Sequence, residues 1–424
     1  MVGKRKRFSF SFANRDRAAG LALPPERRRA PDFEHALTRR ILPFLLALAN
    51  AALGCGDDDG GLPSSTSAAL ETYARIVHAS YEDSAAAARA MDADLEALVA
   101  TPSLTTLEAA KQSWLDARIP YLQTEVYRFY DGPIDGMDGD PEGLINAWPM
   151  DEQTVDYVDG DATAGRINDT SFTIAAEALL DENGAGGEAD VVTGWHPIEF
   201  LLWGQDSTEP SMRMPGQRSF EDFATADNAD RRGLYLTTLG DVLVGHLEEL
   251  TAAWSPDTAG NYRASFLADA PEESLRKVLT GMIVFAGFES AGERLQAALD
   301  AGDQEEEHSC FSDNTHVDAI EDIRGVRNVW QGRYVRTDGT AVEGTGLRAV
   351  VEELDVDLAA QISTSIDEAL AASQAIPVPF DLAIAPGNAE GNAAVQATID
   401  ALRETEMLLT QVFVELGFTV PEPE

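Results

Sequence analysis

The chain is poor in cysteine and, past its first segment, nearly without lysine. Cys55 and Cys310 are the two cysteines in 424 residues, so at most one disulfide can form and no thiolate cluster is present to select copper(I). From Cys55 onward, Lys111 and Lys277 are the only lysines. Positive charge is scarce as a whole: 31 Lys+Arg face 73 Asp+Glu, a net charge of −42. The first 40 positions hold 11 of the basic residues and 4 of the acidic ones, which leaves 20 basic against 69 acidic side chains from Cys55 to the end. So acidic a surface repels phosphate backbones, which excludes nucleic acid as a partner and favours cations. No His-Glu-x-x-His helix, Gly-x-Ser-x-Gly elbow, phosphate loop or dinucleotide fingerprint occurs. What is present is ample apolar material, 44% of the residues with 8% aromatic, enough for two domains of ordinary size.

The first 54 residues read as a targeting segment. A basic, irregular stretch with Pro24-Pro25 and Arg27-Arg28-Arg29 leads through Arg39-Arg40 into ILPFLLALANAALG, residues 41–54, which carries no charge. Fourteen residues fall short of the about 20 that a membrane-spanning helix needs and suit a signal-peptide core. Leu53-Gly54-Cys55 resembles the end of a bacterial lipobox, so Cys55 is the expected lipidation site, and residues 55–65 form an acidic tether. The expectation is an exported lipoprotein of the bacterial envelope that faces the periplasm and meets the membrane only through its lipid. The glycine after Cys55 is no inner-membrane retention signal, which points to the outer membrane.

The remainder reads as helix after helix, an all-α chain. Apolar residues at helical spacing predict helices over 68–100, 104–130 (kinked at Pro120), 228–254, 271–301, 317–331, 346–373 and 388–416, with shorter ones at 171–181 and 197–203. Only 332–342 hints at strand. Two packed antiparallel bundles of about four long helices each follow, residues 66–205 and 228–420, joined by a loop at 206–227.

The segment GWHPIEFLLWGQD, residues 194–206, is the densest in chemistry. Pro197 suits the first turn of a helix and would leave His196 at the cap. Glu199 lies three residues on, so imidazole and carboxylate share a face. His78/Glu82 and His246/Glu249 have related spacings, which read as solvated pairs. Trp195, Phe200 and Trp203 read as core, and Met212 and Met214 as loop residues. Elsewhere Glu125, Asp313 and His316 complete a set of two imidazoles and several carboxylates suited to iron, zinc or manganese. Asp313 and the residues after it can equally be the cap of the next helix. Arg128 reads as a partner that holds Glu125 or Asp135.

GWHPIEFLLWGQD resembles the glycine-x-histidine-x-x-glutamate signature of the imelysin family, iron-regulated bacterial envelope proteins also grouped as M75 peptidases. Four further stretches are similar to that family: 114–135, 142–158, 288–293 and 310–334. The likeness runs from about Thr66 to Phe418. It implies two helical bundles with a polar site in the cleft between them. Gly194, His196 and Glu199 match the signature, while Glu125, Arg128, Asp135, Glu289, Asp313 and His316 are polar positions in the other stretches. The expected ligands are His196, Glu199, Glu125, Asp313 and His316, supported by Arg128, Asp135, Glu289 and Gly194. The expected cofactor is a metal ion, iron first with zinc or copper as alternatives, taken as a free ion or an iron-bearing small molecule. Its role would be iron acquisition. A metal-dependent peptidase and a scaffold that binds no metal are the competing readings.

Overall fold

The structure, a computed structural model, describes residues 61–136 and 141–419. Residues 1–60, with Cys55 and most of the tether, lie outside the described residues. The described residues form one compact unit.

The fold is all-α apart from one hairpin. Helix α1, Thr66–Ala100, buries Tyr73, Val77, Tyr81, Ala88, Met91, Leu95 and Leu98, the three-and-four spacing of an amphipathic helix. It stops ahead of Pro102. Ser103 and Thr106 then make a reciprocal capping box that starts α2, Leu104–Leu122. Helix α3, Trp195–Trp203, is buried along its whole length. The long helices that follow are α4, Ala229–Trp254, and α5, a continuous rod over 271–301. Helices α6, Thr315–Gln331, α7, Leu347–Leu354, α8, Val356–Gln374, and α9, Ala389–Glu415, complete the set. Strands β1, Arg333–Val335, and β2, Ala341–Glu343, pair antiparallel, where the sequence hints at strand.

Three local expectations need correction. The helix foreseen through residue 130 ends at Leu122, with Pro120 in its last turn. The Thr124 hydroxyl donates to the Tyr121 carbonyl, and Phe129 and Asp131 both take positive φ, so the chain leaves the helix in tight turns. The helix foreseen over 346–373 is two, because Asp355 is extended and its carboxylate accepts the N–H groups of Asp357 and Leu358 as the cap of α8. In α3 the cap is Gly194, two residues before the proline-first start expected.

The helices pack in two groups. The most extensive contact is of α1 with α4, joined by α2, while α5, α6, α8 and α9 pack on one another. The helix after the 206–227 loop therefore returns to the first group, in place of opening the second as expected. Helix α6 also packs on α2 and on the turn Glu125–Tyr127, and the polar residues described next line that junction. Among the described residues no helix is long and apolar enough to cross a membrane.

Candidate functional site

Helix α3 begins at a glycine for a steric reason. Gly194 has φ +96°, and a Cβ there would sit 2.3 Å from the Ile145 carbonyl oxygen. This close approach buries His196 and Glu199 completely, one turn apart on the same face. His196 Nδ1 lies 3.2 Å from Glu199 Oε2. Glu199 Oε1 accepts two hydrogen bonds from Ser312, from the backbone N–H at 2.9 Å and the hydroxyl at 2.6 Å. Glu199 is thus engaged at both oxygens and orients His196. The other imidazole nitrogen, Nε2, is buried without a partner.

A second imidazole faces the first. The rings of His196 and His308 are 4.8 Å apart at 73°. His308 repeats the carboxylate pairing: its Nδ1 lies 2.8 Å from Asp318 Oδ2, which also accepts from the Ser309 hydroxyl at 2.6 Å and from Arg118 at 3.3 Å. Trp148 packs against the His196 ring, centroids 4.9 Å apart and tilted by 52°.

Arg118 carries the network inward through Asn146, at 2.6 Å, and Asn146 donates at 3.3 Å to Glu125. Glu125 Oε2 also accepts from Arg128, at 3.1 Å, and from Arg294. Arg294 reaches Asp322 at 3.0 Å and Glu289 at 3.1 Å. Glu289 and Arg294 lie five residues apart on the π-helical segment Phe285–Gln296 of α5. The i to i+5 repeat of a π-helix places such residues side by side, which an α-helix would not. Arg128 continues outward to Glu289 at 3.4 Å and Glu142 at 3.2 Å, the partly exposed end of the network.

Burial and charge set the protonation of this core. Burial pushes Glu199 up to about 8, against the pull of the Ser312 hydrogen bonds. Burial, then the neighbouring His308 and Arg118, holds His196 well below its ordinary value. Burial and Arg294 bring His308 down to about 4 despite Asp318. For Glu125 burial works upward, but Arg128 and Arg294 outweigh it and bring it to about 2. Burial raises Glu142 to about 7 against Arg128, and it lifts Asp322 well above the carboxylate range against Arg294. In the metal-free protein, burial therefore favours neutral imidazoles and a protonated Glu199, whose proton would lie on Oε2 towards His196 Nδ1.

The expected residues divide. His196, Glu199, Glu125, Arg128 and Glu289 share one buried network, and Gly194 supports it sterically. They line a closed core in place of the walls of an open cleft. Glu125 has its outer oxygen bound by two arginines and Asn146, the position of a clamped counter-ion more than of a free ligand. Asp135 stands apart, its carboxylate accepting the backbone N–H groups of Phe129 and Gly132. Asp313 and His316 make no hydrogen bond or ring contact with His196. His316 Nδ1 lies 3.1 Å from the Asp313 carbonyl oxygen, and the Asp313 carboxylate lies with Asp206 and Asp381. Thr315–Gln331 does begin just after Asp313, but neither Asp313 nor Asn314 caps it with a side chain. The pairs His78/Glu82 and His246/Glu249 are partly exposed at 3.6 and 4.0 Å.

Sequence reading missed His308, Asp318, Arg118, Arg294 and Ser312. For Arg118 a signal existed: with Trp114, Ala117 and Tyr121 it occupies the apolar stripe of α2, where an arginine needs a buried partner.

Comparison with known proteins agrees with the fold. The chain is 26% identical over 385 residues to a curated protein, "Iron-regulated protein A" of Synechococcus elongatus, covering 85% of this chain and 93% of that one. A crystal structure from Parabacteroides distasonis ATCC 8503, described provisionally as an iron-regulated protein A precursor, superposes with a TM-score of 0.64 at 18% identity, over 85% of this chain and 97% of that chain. An imelysin-like protein from Psychrobacter arcticum 273-4 gives 0.60 at 16% identity, over 87% and 100%. The family model described as Imelysin, Peptidase M75, matches residues 77–409, so this chain belongs to the imelysin family.

Proposed function

We propose that this protein binds iron, as the ion or within a small iron-bearing ligand, at His196 and His308, and serves iron acquisition at the bacterial envelope, tethered by lipid on Cys55. The observation that carries the reading is the buried, unpartnered Nε2 of His196 facing a second imidazole, each ring fixed at Nδ1 by a carboxylate. Carboxylates that orient histidines through the far nitrogen are a recurrent feature of metal centres. The designation of the Synechococcus relative supports iron as the cargo.

The donor chemistry fits. Neutral imidazole suits iron and zinc, and burial favours the neutral form at both histidines. Charge also fits. Three arginines (118, 128 and 294) face six carboxyls (Glu125, Glu142, Glu199, Glu289, Asp318 and Asp322), and burial holds three of the six towards the protonated form. The excess acids can exchange protons for a cation. Glu142 and Glu289, the partly exposed outer end, give the route in.

The test is iron titration of the chelator-treated full chain beside His196→Ala and His308→Ala, with metal content by elemental analysis. One iron per chain in the wild type and at least a tenfold weaker affinity in each variant are expected. Unchanged affinity in both would refute the assignment. Stoichiometric zinc with cleavage of peptides would replace it by the metallopeptidase reading.

A further inference from the structure

Apart from the network around His196, a second group of acids lies buried without an ion-pair partner. Asp206 follows α3, Asp313 precedes α6, and Asp381 lies on the short helix Phe380–Ile384. One carboxylate oxygen from each falls within 4.8 Å of the others, and all three side chains are buried. Hydrogen bonds leave specific oxygens open. Asp206 Oδ1 accepts from the backbone N–H and hydroxyl of Thr208 at 3.0 and 2.9 Å, while Oδ2 has no partner. Asp313 Oδ1 has none either.

An independent side chain points to a ligand. Glu307 is 1% exposed, and neither of its carboxylate oxygens has a hydrogen-bond partner. Burial first, and then the charges of Asp381, Asp313 and Asp206, oppose its ionisation, in keeping with a carboxyl near the three aspartates. Among the described residues none of the four forms an ion pair, and Arg213 acts on Asp381 without pairing with it. Beside Asp206 opens a cavity of about 570 Å³ whose wall includes Glu209, Asp303, Gln304 and Glu305, an acidic entry for a cation.

We infer that Asp206, Asp313, Asp381 and Glu307 form a second cation site, built for a hard divalent ion of the calcium type and separate from the imidazole pair. Four carboxyls with no nitrogen or sulfur donor select an oxygen-seeking ion. Calcium takes oxygens at about 2.3–2.6 Å in adaptable geometry, so its sphere spans about 5 Å, in keeping with the spacing of these carboxylates. The ion would also tie three separate segments together. Ser312, whose N–H and hydroxyl hold Glu199, is covalently next to Asp313, so a cation there would steady the residue that orients His196.

Calcium chloride titrated calorimetrically into the chelator-treated full chain tests the inference, with Asp313→Asn, Glu307→Gln and His196→Ala beside the wild type. One calcium per chain is expected, with a dissociation constant below about 1 mM. Binding should weaken at least tenfold in Asp313→Asn and Glu307→Gln and persist in His196→Ala. Without calcium, both neutralised variants should melt at or above the wild-type temperature, since repulsion is relieved; that separates a lost ligand from a lost fold. No calcium binding by the wild type, or equal binding in all four proteins, would overturn the inference. Loss of iron but not calcium in His196→Ala marks the two sites as independent, so either can fail alone.

Discussion

Glu199→Gln isolates the role of the His196–Glu199 pair because it should act oppositely on stability and on metal binding. In the metal-free protein Glu199 is raised from 4.5 to about 8 by burial. The folded state therefore holds a proton that the unfolded chain gives up. Below pH 4.5 both states are protonated and the effect vanishes; as pH rises from about 4.5 to about 8 the folded state loses stability progressively, by about 1.4 kcal/mol per unit and about 5 kcal/mol at most. Glutamine copies the protonated acid and removes that penalty. Its orientation is dictated by Ser312, whose backbone N–H demands an oxygen at the Oε1 position. The amide NH₂ must then face His196 Nδ1, as the acid proton of Glu199 does, but the amide cannot pass its proton to Nδ1, so the imidazole proton is locked on Nε2, where a metal would bind. The expectation is a variant as stable as wild type at pH 5, more stable by up to about 5 kcal/mol at pH 9, and at least tenfold weaker for iron. Urea denaturation of the metal-free proteins at the two pH values, with calorimetric iron titration at pH 7.5, measures both. A variant that is destabilised at pH 9, or that binds iron as the wild type does, would refute the tautomer argument.

Gly194→Ala should cost about 3 kcal/mol or more, since it combines a left-handed φ with a Cβ driven against the Ile145 carbonyl, and thermal unfolding would register it as a lower midpoint. The opposite pH dependence is expected of Glu125, which the arginines bring from 4.5 to about 2: its contribution, about 3 kcal/mol, is present above pH 4.5 and is lost as pH falls towards 2. Glu125→Gln should accordingly be destabilised at pH 7 and differ little from wild type near pH 2, measured by denaturant midpoints across that range.

The helices were legible because their signal is local. The apolar spacing of α1 and the Pro102 stop place its ends within two residues of those observed. The failures share a cause: a polar side chain competing for backbone groups. Asp355 caps α8 inside a run that reads as one helix, and Thr124 bonds back to Tyr121 where the pattern continues. No residue type announces the positive φ of Phe129. At the site, His196 and Glu199 were legible from a three-residue spacing. His308 was not, since it follows Glu305-Glu306-Glu307 and reads as part of a solvated acidic loop. Its burial depends on Asp318, ten residues on, and on the α2 arginine, contacts that only the tertiary fold supplies. Asp313 matched the family-like stretch yet turns to Asp206 and Asp381, because its φ of +58° redirects the chain between Ser312 and α6.

The composition of the polar core is what the proposed binding role would require, more than what holding the helices together would. A buried ion network is commonly no more stabilising than apolar side chains of the same volume. This fold also has a balanced alternative: Asp156, fully buried, is met by Arg232 at 2.6 and 3.0 Å and by Arg218 at 2.8 Å, which fixes the 206–227 loop to α4 with every acid oxygen engaged. The core around Glu125 and His196 departs from that pattern in the direction expected of a receptor. It holds more carboxyls than arginines, keeps the surplus protonated, and leaves His196 Nε2, Glu125 Oε1 and Asp322 Oδ1 without partners. Each such buried group costs about 1–3 kcal/mol when unsatisfied. A cation bound at His196 Nε2 would displace the proton that nitrogen carries in the metal-free protein, and the Glu199 proton would pass from Oε2 to Nδ1, so that the Glu199 carboxylate would accept from Nδ1–H while Ser312 holds its other oxygen. The same acids that cost stability in the empty protein would then be neutralised by the ligand, so on the proposed reading cation affinity and lower stability without the cation would share one physical origin.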